Sequence, residues 1–249
     1  VLGLGSGIPL PSMLSGLAVS NYSMLFDGDG DYLSITETTF PMGDNGDKLS
    51  IAFWAKRDGT GTEDTVLTNV NTYKRRIHFN SDGDELHIEA DTNGQQAKGV
   101  ATADTNWHHY VITVHNADSA GTAATVVMYE DGSAVSSTNT NLGVAAGSSN
   151  GDFTINAIGS RSTGGDTGFD GRLYQVAIWN EILDSDAVAA IYNSGTPIPL
   201  GEDKGNYDNS GDLLHLWNFN EGTGSSAGDS AGSLNASLEG DAAFNSTTP

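Results

Sequence analysis

The sequence predicts an all-β protein, a sandwich or barrel of antiparallel strands carrying one short helix. Three observations predict it. Turn-forming residues dominate, with 32 Gly, 20 Asn and 23 Asp against only 9 Glu; Gly, Asn and Asp accept positive φ or bond their own backbone, whereas the helix formers Glu and Lys are scarce. From Ser23 onward, short runs alternate apolar and polar residues, the two-residue period of a strand with one buried face. Between the runs stand Asn45-Gly46, Asp58-Gly59, Asp82-Gly83, Asn93-Gly94, Asp131-Gly132 and Asn150-Gly151, the dipeptides that close hairpins.

In chain order the predicted strands are Ser23 to Phe26, Tyr32 to Ile35, Leu49 to Lys56, Thr65 to Val70, Arg76 to Asn80 and Glu85 to Ala90. They continue with His108 to His115, Thr125 to Tyr129, Asp152 to Ile158, Arg172 to Asn180 and Leu213 to Phe219. Alternation assigns faces: Ile51, Phe53 and Ala55 share one side of their strand, and Tyr110, Ile112 and Val114 share one side of theirs. One helix is expected over Ser185 to Tyr192, because Asp184 can cap it, Ala187, Val188 and Ile191 form an apolar stripe, and Gly195 follows to stop it.

Composition also excludes. With 10 basic and 32 acidic residues the net charge is -22, which repels phosphate backbones and argues against nucleic-acid binding. No apolar run approaches the roughly 20 residues that span a bilayer, so no membrane insertion is expected. The absence of Cys removes disulfides, thiolate nucleophiles and cysteine-ligated metals. Residues 1–22 read as an N-terminal arm. Its Val1 to Ala18 segment is uncharged and interrupted by Pro9 and Pro11, unlike the continuous apolar core of a secretory signal, and it suits docking on a neighbouring subunit. Residues 23–199 form the body. Residues 200–249 read as a polar linker and a last strand, too short and apolar-poor to fold alone, and so expected to pack back on the body.

The residues Phe26-Asp27-Gly28-Asp29-Gly30-Asp31-Tyr32-Leu33-Ser34-Ile35 and Leu49-Ser50-Ile51-Ala52-Phe53-Trp54-Ala55-Lys56, followed by Trp107-His108-His109-Tyr110-Val111, the Met128-Tyr129-Glu130-Asp131-Gly132 hairpin and Phe169-Asp170-Gly171-Arg172-Leu173-Tyr174, resemble a laminin-G-like domain of the concanavalin A-like lectin/glucanase superfamily. The resemblance covers roughly residues 23–195. It implies a two-sheet antiparallel jelly-roll sandwich. Trp217-Asn218-Phe219-Asn220-Glu221-Gly222 resembles the strand that ordinarily opens such a domain, and here it lies at the end. The C-terminal strand is therefore expected to fill the place of the missing first one, as in a circular permutation.

The resemblance also suggests a structural Ca²⁺ held near the first strand and the late Phe-Asp-Gly strand, with Asp27, Asp29, Asp31 and Asp170 as candidate ligands. An EF-hand is excluded, because its sixth position would be Tyr32 and its twelfth Thr38. Tyr174-Gln175 also stands where relatives carry an acidic pair. The histidines do not read as a zinc site: His108 and His109 face opposite sides of a strand, and His78 and His87 lie in separate strands. Tyr73, Arg75 and Arg76, with Lys74, form a local basic cluster that could meet an acidic glycan; the competing reading is a protected edge strand. Glu85, Glu89 and Asp91 share a face at spacings a glycosidase could use, but His87 stands where the glucanase motif needs its middle acid. A solvated strand face is the expected reading there.

These readings favour a protein that is not an enzyme. The first is a structural or decoration module on an extracellular surface, a phage virion in particular, meeting other virion or surface-assembly subunits through the N-terminal arm, with glycan adhesion as a secondary role. The alternative is a calcium-dependent carbohydrate-binding lectin or adhesin module of a bacterial surface protein. A glycoside hydrolase is the remote third.

Overall fold

The computed structural model describes residues 19–249 apart from 43, 45, 73–74, 82–84, 91–94, 117–123, 141, 143–151 and 162–167. The chain runs through β1 (Ser23–Asp27), β2 (Tyr32–Phe40), β3 (Lys48–Arg57), β4 (Asp64–Thr68), β5 (Arg76–Phe79), β6 (Glu85–Glu89), β7 (Gln96–Val100), β8 (Trp107–His115) and β9 (Thr125–Glu130). It continues through β10 (Ser133–Ala134), β11 (Ser137–Thr140), β12 (Phe153–Ile158), β13 (Asp170–Trp179), α1 (Ser185–Tyr192), β14 (Leu213–Trp217), β15 (Ser226–Ala227), β16 (Ala236–Glu239) and β17 (Ala243–Asn245).

Among the described residues these strands make two antiparallel sheets, as the alternation and hairpin signals predict. The first has the order β10-β9-β8-β3-β13-β1-β17, with β14 also on β13; the second runs β11-β7-β6-β5-β4-β12-β2-β16-β15. The main core fills the gap between them. Met24, Phe26, Leu33, Phe53, Phe79, Ile112, Phe153, Ile155, Leu173 and Trp217 meet there, all buried. Each such side chain contributes about 1.5–3 kcal/mol by leaving water.

The first sheet is covered on both faces. On its outer side α1 and the segment 198–207 bury Ala52, Val111, Trp179, Leu183, Val188, Ile191, Ile198, Leu200 and Tyr207 in a second, smaller core. That double cover explains why β3 and β13 are buried almost throughout rather than alternately. The helix starts and ends where its signals place it. Asp184 accepts a hydrogen bond from the Ala187 amide at 2.8 Å, and the turn after Tyr192 leaves the helix through Asn193 at φ 47°. The Trp179 indole N–H donates to the Tyr207 hydroxyl at 3.1 Å, and that hydroxyl donates to the Leu200 carbonyl at 2.7 Å.

One lane beside β13 is shared by two strands. β1 pairs with Asp170 to Leu173, and β14 takes over from Val176 to Trp179. Between them Gln175 adopts φ 47°, and the pairing of β13 with β3 shifts at the same place, the signature of a bulge. The buried Gln175 amide donates to the Ile198 carbonyl at 2.9 Å, tying the bulge to the outer core. The C-terminal segment thus enters the lane of the opening strand, then adds β16 beside β2 and β17 beside β1.

Several elements differ from the sequence reading. β2 runs on to Phe40, and β7, β10, β11, β15, β16 and β17 are strands without an apolar alternation to announce them. β5, read as a protected edge, lies inside its sheet between β4 and β6.

Candidate functional site

At one end of the sandwich the β1–β2 turn, the start of β4 and the start of β13 converge. They enclose an open cleft of about 370 Å³ lined by Asp27, Gly28, Asp29, Thr62, Glu63, Asp64, Gly168 and Asp170. Gly28 and Gly30 hold φ of 82° and 83°, the left-handed backbone that glycine reaches without steric cost. A Cβ on Gly168 would stand 3.1 Å from the Gly28 backbone, so two glycines let the turn and the β13 approach close together.

Asp27 and Asp170 are direct cross-strand partners. Like charges so placed repel. Burial, then the charges of Asp58 and Asp27, hold the Asp170 carboxyl above the usual carboxylate range. Asp29 folds back so that its amide donates to Asp27 Oδ1 at 2.9 Å. Among the described residues none of Asp27, Asp29 and Asp170 makes an ion pair within 4.0 Å. The other acids of the cleft are answered by arginines: Glu63 meets Arg76 at 2.5 Å and Arg161 at 3.0 Å, and Asp64 lies 3.9 Å from Arg57. Asp64 is 1% exposed, and burial pushes its carboxyl up to about 6 against the pull of Arg57 and the Asp170 amide.

The structure therefore brings Asp27, Asp29 and Asp170 together as the sequence reading expects, and adds Thr62, Glu63 and Asp64. Asp31 sits apart from the lining. It is buried, and its carboxylate accepts from the amides of Asp27 and Asp241, so it shapes the turn and ties it to the C-terminal segment.

The two arginines of the basic cluster each have partners of their own. Tyr73 lies outside the described residues, as does Lys74. Arg75 Nε donates to the Ala90 carbonyl at 3.2 Å. Arg76 is 8% exposed, and its guanidinium is shared between Glu63 and Glu89.

The face read as solvated acids is instead a bonded network. Glu85 pairs with Lys98 at 2.9 Å and meets His87 Nε2 at 3.1 Å; Lys98 and His87 hold its carboxyl below the ordinary range against a smaller desolvation effect. Glu89 meets Arg76 at 2.7 Å. Its burial would raise the carboxyl, yet His78 and Arg76 together bring it down to about 2. Asp91 lies outside the described residues. His78 and His87 lie in separate strands as read, and those strands pair so that the two are direct cross-strand partners with ring centroids 5.1 Å apart.

Among the described residues, three ligand atoms from His, Asp or Glu lie within 4.8 Å of one another in two places, His78–His87–Glu89 and His108–Glu130–Asp131. The acidic cleft is not one of them. In the second group His108 Nδ1 meets Asp131 at 2.8 Å and Nε2 meets Asp104 at 3.0 Å. Both ring nitrogens are engaged by carboxylates, so this group is an ion-pair clamp.

A family model described as the concanavalin A-like lectin/glucanases superfamily matches residues 27–189. The chain belongs to that superfamily. Curated proteins yield no match. Among solved structures, a candidate carbohydrate-binding protein from Bacteroides ovatus aligns at 14% identity and a TM-score of 0.60, covering 92% of this chain and 60% of its own. A heptameric SAP-like pentraxin from Limulus polyphemus aligns at 14% identity and a TM-score of 0.43, covering 71% of this chain and 82% of its own. At 14% identity the likeness to the Bacteroides protein concerns the fold. This lectin/glucanase-superfamily chain spans only about three fifths of the length of the Bacteroides protein, and among its described residues no helix is long and apolar enough to cross a membrane.

Proposed function

We propose that this protein is a non-enzymatic carbohydrate-binding module of an extracellular surface, and that its glycan docks in the cleft formed by Asp27, Asp29, Thr62, Glu63 and Asp170. The cleft itself carries the reading: a concave site at the loop end of a rigid sandwich, lined by carboxylates and a threonine, where loops commonly carry recognition. Carboxylates are acceptors that suit the many hydroxyl donors of a neutral sugar. An anionic glycan meets the same lining and a chain charge of -22, so the ligand class is neutral. The Bacteroides ovatus fold relative, itself a candidate carbohydrate binder, is consistent with this assignment.

Calcium fits the donor chemistry. It takes six to eight hard oxygens, and Asp27, Asp29 and Asp170 offer carboxylates that no cation pairs among the described residues. The cross-strand repulsion of Asp27 and Asp170 is what a divalent cation relieves. Asp31 belongs to the turn rather than to this ligand set.

The acids weighed for turnover in the sequence are not poised for it. A glycosidase needs one protonated carboxyl beside one ionised partner. Glu85 and Glu89 are both held below the usual range. Asp64, pushed up to about 6, is covered by Arg57 and the Asp170 amide.

A glycan array probed with and without calcium tests the reading. Retention on neutral glycans, lost in chelator and lost in Asp27→Asn and Asp170→Asn, supports it; no retention under either condition, or binding indifferent to both substitutions, overturns it. The particle-decoration alternative rests on the Val1 to Ala18 arm, which lies outside the described residues, and co-purification with capsids or filaments is its test.

A further inference from the structure

We infer that His78, His87 and Glu89 form a zinc-class metal site on the outer face of the second sheet. The inference is independent of the cleft, and failure of glycan binding would leave it standing. β5 and β6 pair so that His78 lies opposite His87 and Arg76 opposite Glu89, and the ligand atoms of the three residues lie within 4.8 Å of one another.

His78 points to an ion. Its Nδ1 lies 3.3 Å from the Phe79 carbonyl oxygen, an acceptor only, so that nitrogen carries the ring proton. Its Nε2 is then the ring nitrogen left for a ligand, fully buried and without a hydrogen-bond partner, in a side chain 3% exposed. It stands 3.4 Å from Glu89 Oε1. Tetrahedral zinc with bonds of 2.0–2.1 Å separates neighbouring ligand atoms by about 3.3 Å, close to the 3.4 Å of this one pair.

The surroundings match an outer coordination shell. Glu85 accepts from His87 Nε2 at 3.1 Å and is itself steadied by Lys98 at 3.0 Å, the carboxylate–histidine arrangement that orients metal-bound imidazoles. Arg76 holds both oxygens of Glu89, Oε2 from Nε at 2.7 Å and Oε1 from Nη2 at 3.4 Å. Three carboxylates, Glu63, Glu85 and Glu89, and three cations, Arg76, Lys98 and Arg161, make up this face. The local field is therefore balanced, and a dication would be held by ligand bonds. Two imidazoles and a carboxylate select zinc or a neighbouring transition metal over calcium, and three protein ligands leave a fourth position for water or another donor. The His108 group contrasts with it, because both nitrogens of that ring are already engaged.

The test is a titration of the chelator-stripped full chain with Zn²⁺ against a chromogenic zinc indicator. The expected result is one Zn²⁺ per chain, bound at least tenfold more weakly in His78→Gln and in His87→Gln, and within twofold of the parent in His108→Gln. On the unmutated protein, Zn²⁺ should shift the ring-nitrogen resonances of His78 and His87 and leave those of His108 in place, a readout that no folding defect can imitate. Absence of stoichiometric zinc binding, or ring shifts confined to His108, would overturn the assignment.

Discussion

Replacing His108 by Gln should convert a pH-dependent stability into a flatter one. The His108 ring is clamped by Asp131 at 2.8 Å, Asp104 at 3.0 Å and Glu130 at 3.3 Å, and 14% of its side chain is exposed. The hydrogen bond to Asp131, then that to Asp104, outweigh desolvation and push the imidazole from 6.5 up to about 9. A folded state that holds the proton more tightly than the unfolded state is stabilised below pH 6.5 and loses that stabilisation as pH rises through 9. The full difference corresponds to about 3 kcal/mol. Partial exposure and coupling to three acids reduce the expected effect to about 2–3 kcal/mol. Urea unfolding followed by tryptophan fluorescence at pH 6, 7.5 and 9.5 reads it. The gap between the parent and His108→Gln should be widest at pH 6 and narrow by that amount at pH 9.5, since lysine and tyrosine titrations act on both proteins alike. A gap that stays constant with pH would refute the argument.

Asp64 should act in the same direction at lower pH. Its carboxyl, pushed up to about 6 mainly by burial, contributes stability that is complete below pH 3.8 and fades as pH climbs through 6. Calorimetry should therefore show Asp64→Asn gaining on the parent by about 2–3 kcal/mol between pH 4 and 7. Gly171→Ala should cost about 3 kcal/mol or more: Gly171 has φ 142°, and an added Cβ would lie 2.1 Å from the Lys56 carbonyl oxygen. Melting of the variant within a few degrees of the parent would contradict this. Truncation after Pro199 removes β14, β15, β16 and β17 from the two sheets, and near-ultraviolet circular dichroism should report loss of native packing.

Much of the fold was legible because the strands that build the main core advertise themselves. β3, β8 and β13 carry long apolar runs, and α1 carries a cap, a stripe and a stop. β7 and β11 do not. Their sequences, Gln96 to Val100 and Ser137 to Thr140, are polar or small, and they are strands because the backbone ladder pairs them. Gly99 is where Met128 packs, so closely that a Cβ would stand 2.8 Å from its sulfur; a small residue there is a packing requirement that reads in one dimension as a turn. In the cleft, Asp27 and Asp170 were legible through the laminin-G-like motif. Asp31 has the same chemistry and spacing, but its carboxylate is consumed by backbone amides, and residue type alone does not reveal that. Thr62 to Asp64 come from another connection, brought in by sheet packing. The His78–His87 pairing did leave a signal. Both residues are equidistant in sequence from Asp82-Gly83, a dipeptide type that closes hairpins, and the antiparallel pairing of β5 with β6 sets them face to face.

The shared lane beside β13 bears on how the chain assembles during synthesis. β1 emerges early, yet Met24 has no partner on one side until Leu173 has been made, nor on the other until Phe244 has. Pairings so distant in sequence are slow to find one another, and an unpaired strand edge in a partly made chain is prone to stray association. A dense acidic charge keeps nascent copies apart through mutual repulsion, so the same carboxylates that line the cleft also help the polypeptide survive the wait for its final strand.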